Sequence, residues 1–327
     1  MHPHLKNFSV LPDVLTPYLN PSPMNISTKS AFRQKLDVSD RMRSFLILAF
    51  LSFIWGSSFV LIKKSVEIYP SEQVALLRLA ISGVAFIPLV IQQWRKIDWS
   101  RFHFFVMVGL FGSGIPAFLF AFGQQRISSS VAGILNSLVP LFTLLIGIII
   151  FRAKLVWAKV TGVVLGLIGA AMLILFSSDS GLSGDVGYAL LIVLAAVCYG
   201  TNSNIVGNVF RDVSSMVIST VSFASVGIPS IIIILAATNF TEILTTHPYG
   251  WWGLGYVSLL ALVGTVMASI IFFQLIKWTS PVFASMVAYI MPIVSVFWGV
   301  VDGEAIGWYH FMGMALILGG VYPSRKN

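Results

Sequence analysis

From Ser44 onward, apolar residues come in long unbroken runs, and nearly all the charge lies between the runs. Ten runs are visible, at 44–62, 73–91, 104–123, 129–151, 156–176, 185–206, 214–237, 251–273, 282–301 and 306–322. Most approach the ~20 residues that a helix needs to cross a bilayer. A membrane barrel would instead show alternating segments of about ten residues. The pattern therefore predicts an all-α integral membrane protein with ten transmembrane helices. Spans nine and ten are parted only by Asp302, Gly303 and Glu304, which suit a tight turn. Residues 1–43 hold five of the fourteen prolines and no run long enough for a signal peptide, so they read as a disordered tail. Met24 and Met42 are equally eligible starts, which leaves open whether residues 1–41 belong to the native protein.

The runs repeat. Pro140 in span four and Pro292 in span nine occupy matching places 152 residues apart. Trp55-Gly56-Ser57-Ser58 in span one matches Tyr199-Gly200-Thr201-Asn202 in span six, and Pro88 in span two matches Pro229 in span seven. Gly162 and Gly169 match Gly313 and Gly320. Equivalent spans are separated by an odd number of crossings, so the halves, 44–177 and 185–322, are expected to be inverted copies of five helices each. Inverted repeats are typical of alternating-access carriers, with the substrate between the halves near the midplane.

Charge sets the orientation. If both termini are cytoplasmic, fifteen Lys and Arg lie on that side, against Lys63, Lys64 and Arg126 opposite, which satisfies the positive-inside rule. The net charge of +8 is thereby read as topology, not as nucleic-acid binding. Composition agrees: 57% of residues are hydrophobic and 10% charged, against about 25% charged in a soluble domain. The single cysteine, Cys198, permits no intrachain disulfide.

The chain resembles the EamA-type branch of the drug/metabolite transporter superfamily over residues 44–322. The residues that carry the resemblance are IWGSSFVLIKK at 54–64, ALLRLAISG at 75–83 and SSSVAGILNSLVPLF at 128–142 in the first half. In the second half they are TSPVFASMVAYIMPIVSVFWG at 279–299, Gly303-Glu304 and GMALILGGV at 313–321. The resemblance implies a bacterial inner-membrane carrier that exports or exchanges small metabolites, amino acids or drugs among them. It also implies that spans 1–4 and 6–9 surround a central cavity while spans five and ten are peripheral. Lipid or lipid-linked sugar flipping, found in the same superfamily, is the alternative. The family usually repeats Gly-Glu after span four; here that place reads Phe151-Arg152-Ala153, so Glu304 is read as a turn residue.

Arg78 is the one charge well inside a predicted span. Such residues are costly in a bilayer and point to function by default. Either Arg78 snorkels outward or pairs with Glu72, or it faces the cavity and grips an anionic group with its two-pronged guanidinium. Its counterpart in the second half is Ser219 or a neighbour, so the cavity is expected to be electrostatically lopsided. Ser58, Asn136, Asn202 and Gln274 are polar candidates for substrate contact or for bridging helices. Trp55, Tyr199 and Tyr289 are candidates for stacking. Pro116, Pro140, Pro229 and Pro292 are candidate hinges, with static kinks as the plain alternative.

No Asp or Glu lies at membrane depth, and no histidines pair as metal ligands. No lysine follows a glycine, so there is no phosphate-binding loop. A membrane enzyme would need converging acid, base or nucleophile groups. The expectation is therefore facilitated or exchange transport of a small molecule, with no metal, no cofactor and no nucleic-acid partner, by a monomer or homodimer embedded in lipid.

Overall fold

The computed structural model describes residues 38–152 and 186–321, together with residues 165, 168, 169 and 172. Among the described residues all regular structure is helical. The first half contributes α1 (Val38–Val66), α2 (Ser71–Gln93), α3 (Phe102–Gly109), α4 (Ile115–Gly123), α5 (Ser129–Asn136) and α6 (Val139–Ile149). The second contributes α7 (Val186–Val209), α8 (Ser215–Ala236), the short α9 (Phe240–Thr246), α10 (Gly250–Ala261), α11 (Ala268–Trp278), α12 (Pro281–Ser285), α13 (Val287–Val301) and α14 (Trp308–Val321). Two π-helical segments, Leu110–Gly114 and Leu262–Met267, join α3 to α4 and α10 to α11.

Eight helical stretches in the described residues are long and apolar enough to cross a membrane, and they correspond to predicted spans one to four and six to nine. Predicted span five lies largely outside the described residues. Predicted span ten is α14, 14 residues long, which rises about 21 Å. The helix of span one begins at Val38, inside the stretch read as tail; the rest of that tail lies outside the described residues.

The start signals are serines. Ser128, Ser214 and Ser280 cap α5, α8 and α12, each accepting from the backbone N–H three residues on. Such caps satisfy donors that the first helical turn leaves orphaned.

Repeated glycines explain how the spans meet. A Cβ on Gly56 would lie 2.5 Å from Val294 Cβ, and one on Gly200 would lie 2.7 Å from the backbone nitrogen of Thr143. Span one thus approaches span nine as span six approaches span four. Spans two and seven cross at Gly83 and Gly227, where a Cβ on Gly227 would stand 2.5 Å from the Gly83 Cα. Around that crossing an apolar core gathers Tyr69, Leu76, Leu79, Ala117, Val226 and Val257. Spans five and ten also meet closely at one described position, where a Cβ on Gly169 would lie 2.9 Å from the Gly313 carbonyl.

The prolines differ more than their matched positions predict. Span four is interrupted at Ser137 and Leu138, and Pro140 stands in the first turn of α6. Pro292 lies inside the continuous α13, and the break in span nine comes earlier, at Met286. Pro229 lies inside the continuous α8, and Pro116 follows the π segment of span three. The carbonyl that Pro292 deprives of an N–H is that of Ala288, four residues back. Ser137 Oγ donates to it at 3.0 Å, from the interruption in span four.

Candidate functional site

A cavity of about 750 Å3 of atom-free space, part of it continuous with the outside, lies among the eight spans. Each of spans one to four and six to nine supplies at least one lining residue.

The sequence candidates divide clearly. Trp55, Ser58, Arg78, Asn136, Tyr199 and Asn202 line the cavity. Gln274 and Tyr289 are not among the lining residues. Gln274 lies on the face of α11 turned to α8, where its Oε1 accepts from Ser215 Oγ at 2.7 Å. Tyr289 lies on α13 between Ala288 and Met291's turn, and it is Ala288 and Met291 that reach the lining. Asn204 is also glue: its Nδ2 donates to the carbonyls of Thr143 and Gly200. Gln124, at the end of span three, is fully buried and donates to the Phe59 carbonyl at 2.8 Å.

Arg78 neither snorkels nor pairs with Glu72. It is 9% exposed, and its Nε donates to Thr265 Oγ1 at 3.0 Å. Among the described residues no carboxylate lies within ion-pair reach of it. A guanidinium in such a setting presents its remaining N–H groups to whatever fills the space.

Thr265 and Gly264 belong to the π segment of span eight, and the sequence pass did not single them out. The Trp55 indole Nε1 donates to the Gly264 carbonyl at 2.7 Å. Trp55 also meets Phe272 edge to face, with ring centroids 5.0 Å apart. A π segment shifts the helical hydrogen-bond ladder by one residue, exposing polar backbone where it faces a cavity. The signal lay in the repeat: Gly112 and Gly264 are 152 residues apart, and each lines the cavity. A Cβ on Gly112 would meet the Asn202 amide at 3.1 Å, and one on Gly264 would meet Ser58 Oγ at 3.2 Å. Ser58 and Asn202 are themselves repeat equivalents, so the two halves build similar walls. Arg78 breaks that likeness.

The rest of the lining is mostly apolar and aromatic. Phe59, Phe120 and Tyr199 form a chain of rings, with centroids 5.6 Å and 6.1 Å apart. Two buried amide oxygens, Asn136 Oδ1 and Asn202 Oδ1, have no hydrogen-bond donor among the described residues. Among the described residues no cluster of His, Cys, Asp and Glu suits a metal ion.

Glu304 is more than a turn residue. Its Oε1 accepts from Ser129 N–H at 2.7 Å and Ser129 Oγ at 2.6 Å, and its Oε2 accepts from Ser130 N–H at 3.0 Å and Ser130 Oγ at 2.5 Å. A second-half carboxylate thus covers the N-terminus of a first-half helix, where the helix dipole favours negative charge. Burial pushes the Glu304 carboxyl up, but the hydroxyl and backbone hydrogen bonds from Ser129 and Ser130 outweigh it and hold it below the ordinary range. Beside it Lys64 Nζ stands 2.5 Å from Asp302 Oδ1, tying the end of span one to the same turn.

Comparison with known proteins places this geometry. The sequence profile of the EamA-like transporter family matches twice, over residues 42–175 and 187–324. The "Uncharacterized inner membrane transporter YedA" of Escherichia coli K12 is 27% identical over 278 residues, 82% of this chain and 86% of that protein. An "S-adenosylmethionine/S-adenosylhomocysteine transporter" of Chlamydia trachomatis is 24% identical over 264 residues, 78% of this chain and 80% of that one. An "Uncharacterized transporter" of Archaeoglobus fulgidus is 30% identical over 162 residues, and the match spans 49% of this chain and 57% of that protein. A solved crystal structure superposes with a TM-score of 0.60 at 20% identity, over 87% of this chain and 96% of that one, which speaks for the fold alone. With two matches that together run across nearly all of the membrane part, the chain belongs to the EamA-like transporter family.

Proposed function

We propose that this protein is a secondary carrier of a small organic solute that bears an anionic group, working by alternating access between two inverted five-helix halves. The observation that carries the reading is Arg78, buried in a cavity to which eight spans contribute, with no acidic partner among the described residues. A buried charge without a partner is expensive, and a transient ligand that supplies the opposite charge relieves the cost. The aromatic and apolar lining suits a ring or hydrocarbon body, and the two unpartnered amide oxygens suit its donors. A zwitterionic metabolite fits this chemistry. S-adenosylmethionine and its homocysteine product, transported by a relative, each join a carboxylate to an aromatic base and are therefore candidates.

The name of the E. coli relative supports placement in a bacterial inner membrane, and the basic residues support cytoplasmic termini. The test is efflux from proteoliposomes loaded with a metabolite pool that includes S-adenosylmethionine, read by mass spectrometry. Wild type is expected to release a defined set and to show counterflow. Arg78→Gln is expected to lose the anionic and zwitterionic members by about tenfold or more, the scale of a charged hydrogen bond in free energy. Release of no water-soluble member by folded protein refutes the reading and favours lipid flipping.

A further inference from the structure

The π segment of span eight does two polar tasks at once. Its Gly264 carbonyl takes the Trp55 indole, and its Thr265 hydroxyl takes the Nε of Arg78. The hydroxyl also donates to the Leu260 carbonyl, five residues back, at 3.2 Å. That spacing is the one a π turn creates. With its proton committed to Leu260, the Thr265 oxygen can act toward Arg78 only as an acceptor.

We infer that Thr265 is a positioning residue that fixes the direction of the Arg78 fork and makes this wall the anion-recognising end of the cavity. The inference rests on the role given to Arg78 under Proposed function. A guanidinium can meet an anion through Nε and one terminal nitrogen, or through its two terminal nitrogens. Thr265 occupies Nε and so leaves the second, end-on mode. The two terminal nitrogens have no protein partner among the described residues. In end-on geometry two parallel N–H groups match two oxygens of a carboxylate or phosphate.

The first half lacks this device although it has the same scaffold. Its π segment, Leu110–Gly114, places Ser113 152 residues before Thr265. Ser113 is 2% exposed and its hydroxyl has no partner. Counting from the Gly83–Gly227 crossing instead of from the matched Pro88 and Pro229, the residue equivalent to Arg78 is Ser222 and not Ser219; both hydroxyls are buried and unpartnered among the described residues. One wall thus offers an oriented cation. Asn202 and Asn136 line the same cavity and offer it amide oxygens that are unpartnered among the described residues.

The test uses the purified full chain in nanodiscs and two isosteric probes, phenylacetate and neutral phenylacetamide, with affinities from shifts in unfolding temperature. Wild type is expected to favour phenylacetate. Thr265→Val, which keeps the volume and removes the acceptor, is expected to cut that preference about tenfold while phenylacetamide affinity stays unchanged. Thr265→Ser is expected to restore it, and Arg78→Gln to abolish it. If Arg78→Gln abolishes the preference but Thr265→Val keeps it, Thr265 is not a positioning residue and the reading of Arg78 stands. Equal weakening of both probes in Thr265→Val reduces the threonine to a packing role and overturns the inference. If wild type shows no preference, or Arg78→Gln retains it, the anion role of Arg78 fails and the inference fails with it.

Discussion

At the scale of single residues, the distinction that matters is between polar groups already committed to the protein and those left open. Gln274 and Asn204 are committed: each bridges two spans through named hydrogen bonds. Gln274→Leu should therefore cost about 1 kcal/mol of stability and leave the apparent KM for transport unchanged, as thermal unfolding and counterflow would show. A rise in KM with unchanged stability would return Gln274 to the site. Arg78, Asn136 and Asn202 are open, and they are the three polar groups on which substrate contact can be sought first. Sequence alone marks such residues as unusual for a membrane helix, because their cost in hydrocarbon is a property of residue type. Whether a partner stands opposite is not.

At the scale of helices, repeated sequence does not guarantee repeated local geometry. Pro140 and Pro292 match in position, yet the first opens a new helix after an interruption and the second is bridged within a continuous one. Ser137 accounts for the difference, because it stands in the interruption of span four and serves the carbonyl freed in span nine. The interruptions of the helical pattern thus fall at Ser137–Leu138 in span four and at Met286 in span nine. Pro229→Ala, inside an unbroken helix, should leave turnover within about twofold of wild type, whereas Ser137→Ala should destabilise the protein by about 1–2 kcal/mol through an unsatisfied carbonyl. Turnover in the first variant and thermal stability in the second are the measurements. A large fall in turnover for Pro229→Ala would restore that proline as a hinge.

At the scale of the whole molecule, the two halves are joined by chemistry that their repeat does not share. Glu304 clasps Ser129 and Ser130, while the equivalent place in the first half holds Arg152, a non-glycine residue with φ of +53°. The other end could not use an acid in the same way, since Pro281 has no N–H and Val282 no hydroxyl. A carboxyl held below its usual range contributes stability that is present above the ordinary glutamate range. That stability is lost as pH falls through the depressed value. Glu304→Gln should therefore destabilise the protein at neutral pH by about 1 kcal/mol after allowance for partial solvent exposure, read as a lower unfolding temperature. Its difference from wild type should close on acidification, as the wild-type carboxylate takes up a proton. The nearby Lys64–Asp302 pair is present in both proteins and acts as a common background, whereas His310 feels the Glu304 charge and contributes to the difference. An equal difference at every pH would show that Glu304 acts by packing alone.

The sequence by itself determined the membrane class, the helical spans, the twofold repeat and the isolation of Arg78. Each follows from composition, run length or spacing, which are properties of the chain taken in order. It also led to six of the eight cavity candidates, because polar residues and repeated motifs in apolar helices are conspicuous. Only the tertiary structure decided that Gln274 bonds Ser215, that two π segments contribute to the cavity walls, and that Thr265 holds Arg78. Those facts depend on which helix faces which. Hydrogen bonds between residues 78 and 265, or 129 and 304, join groups far apart in sequence, and no local pattern announces a partner that arrives only when the spans come together.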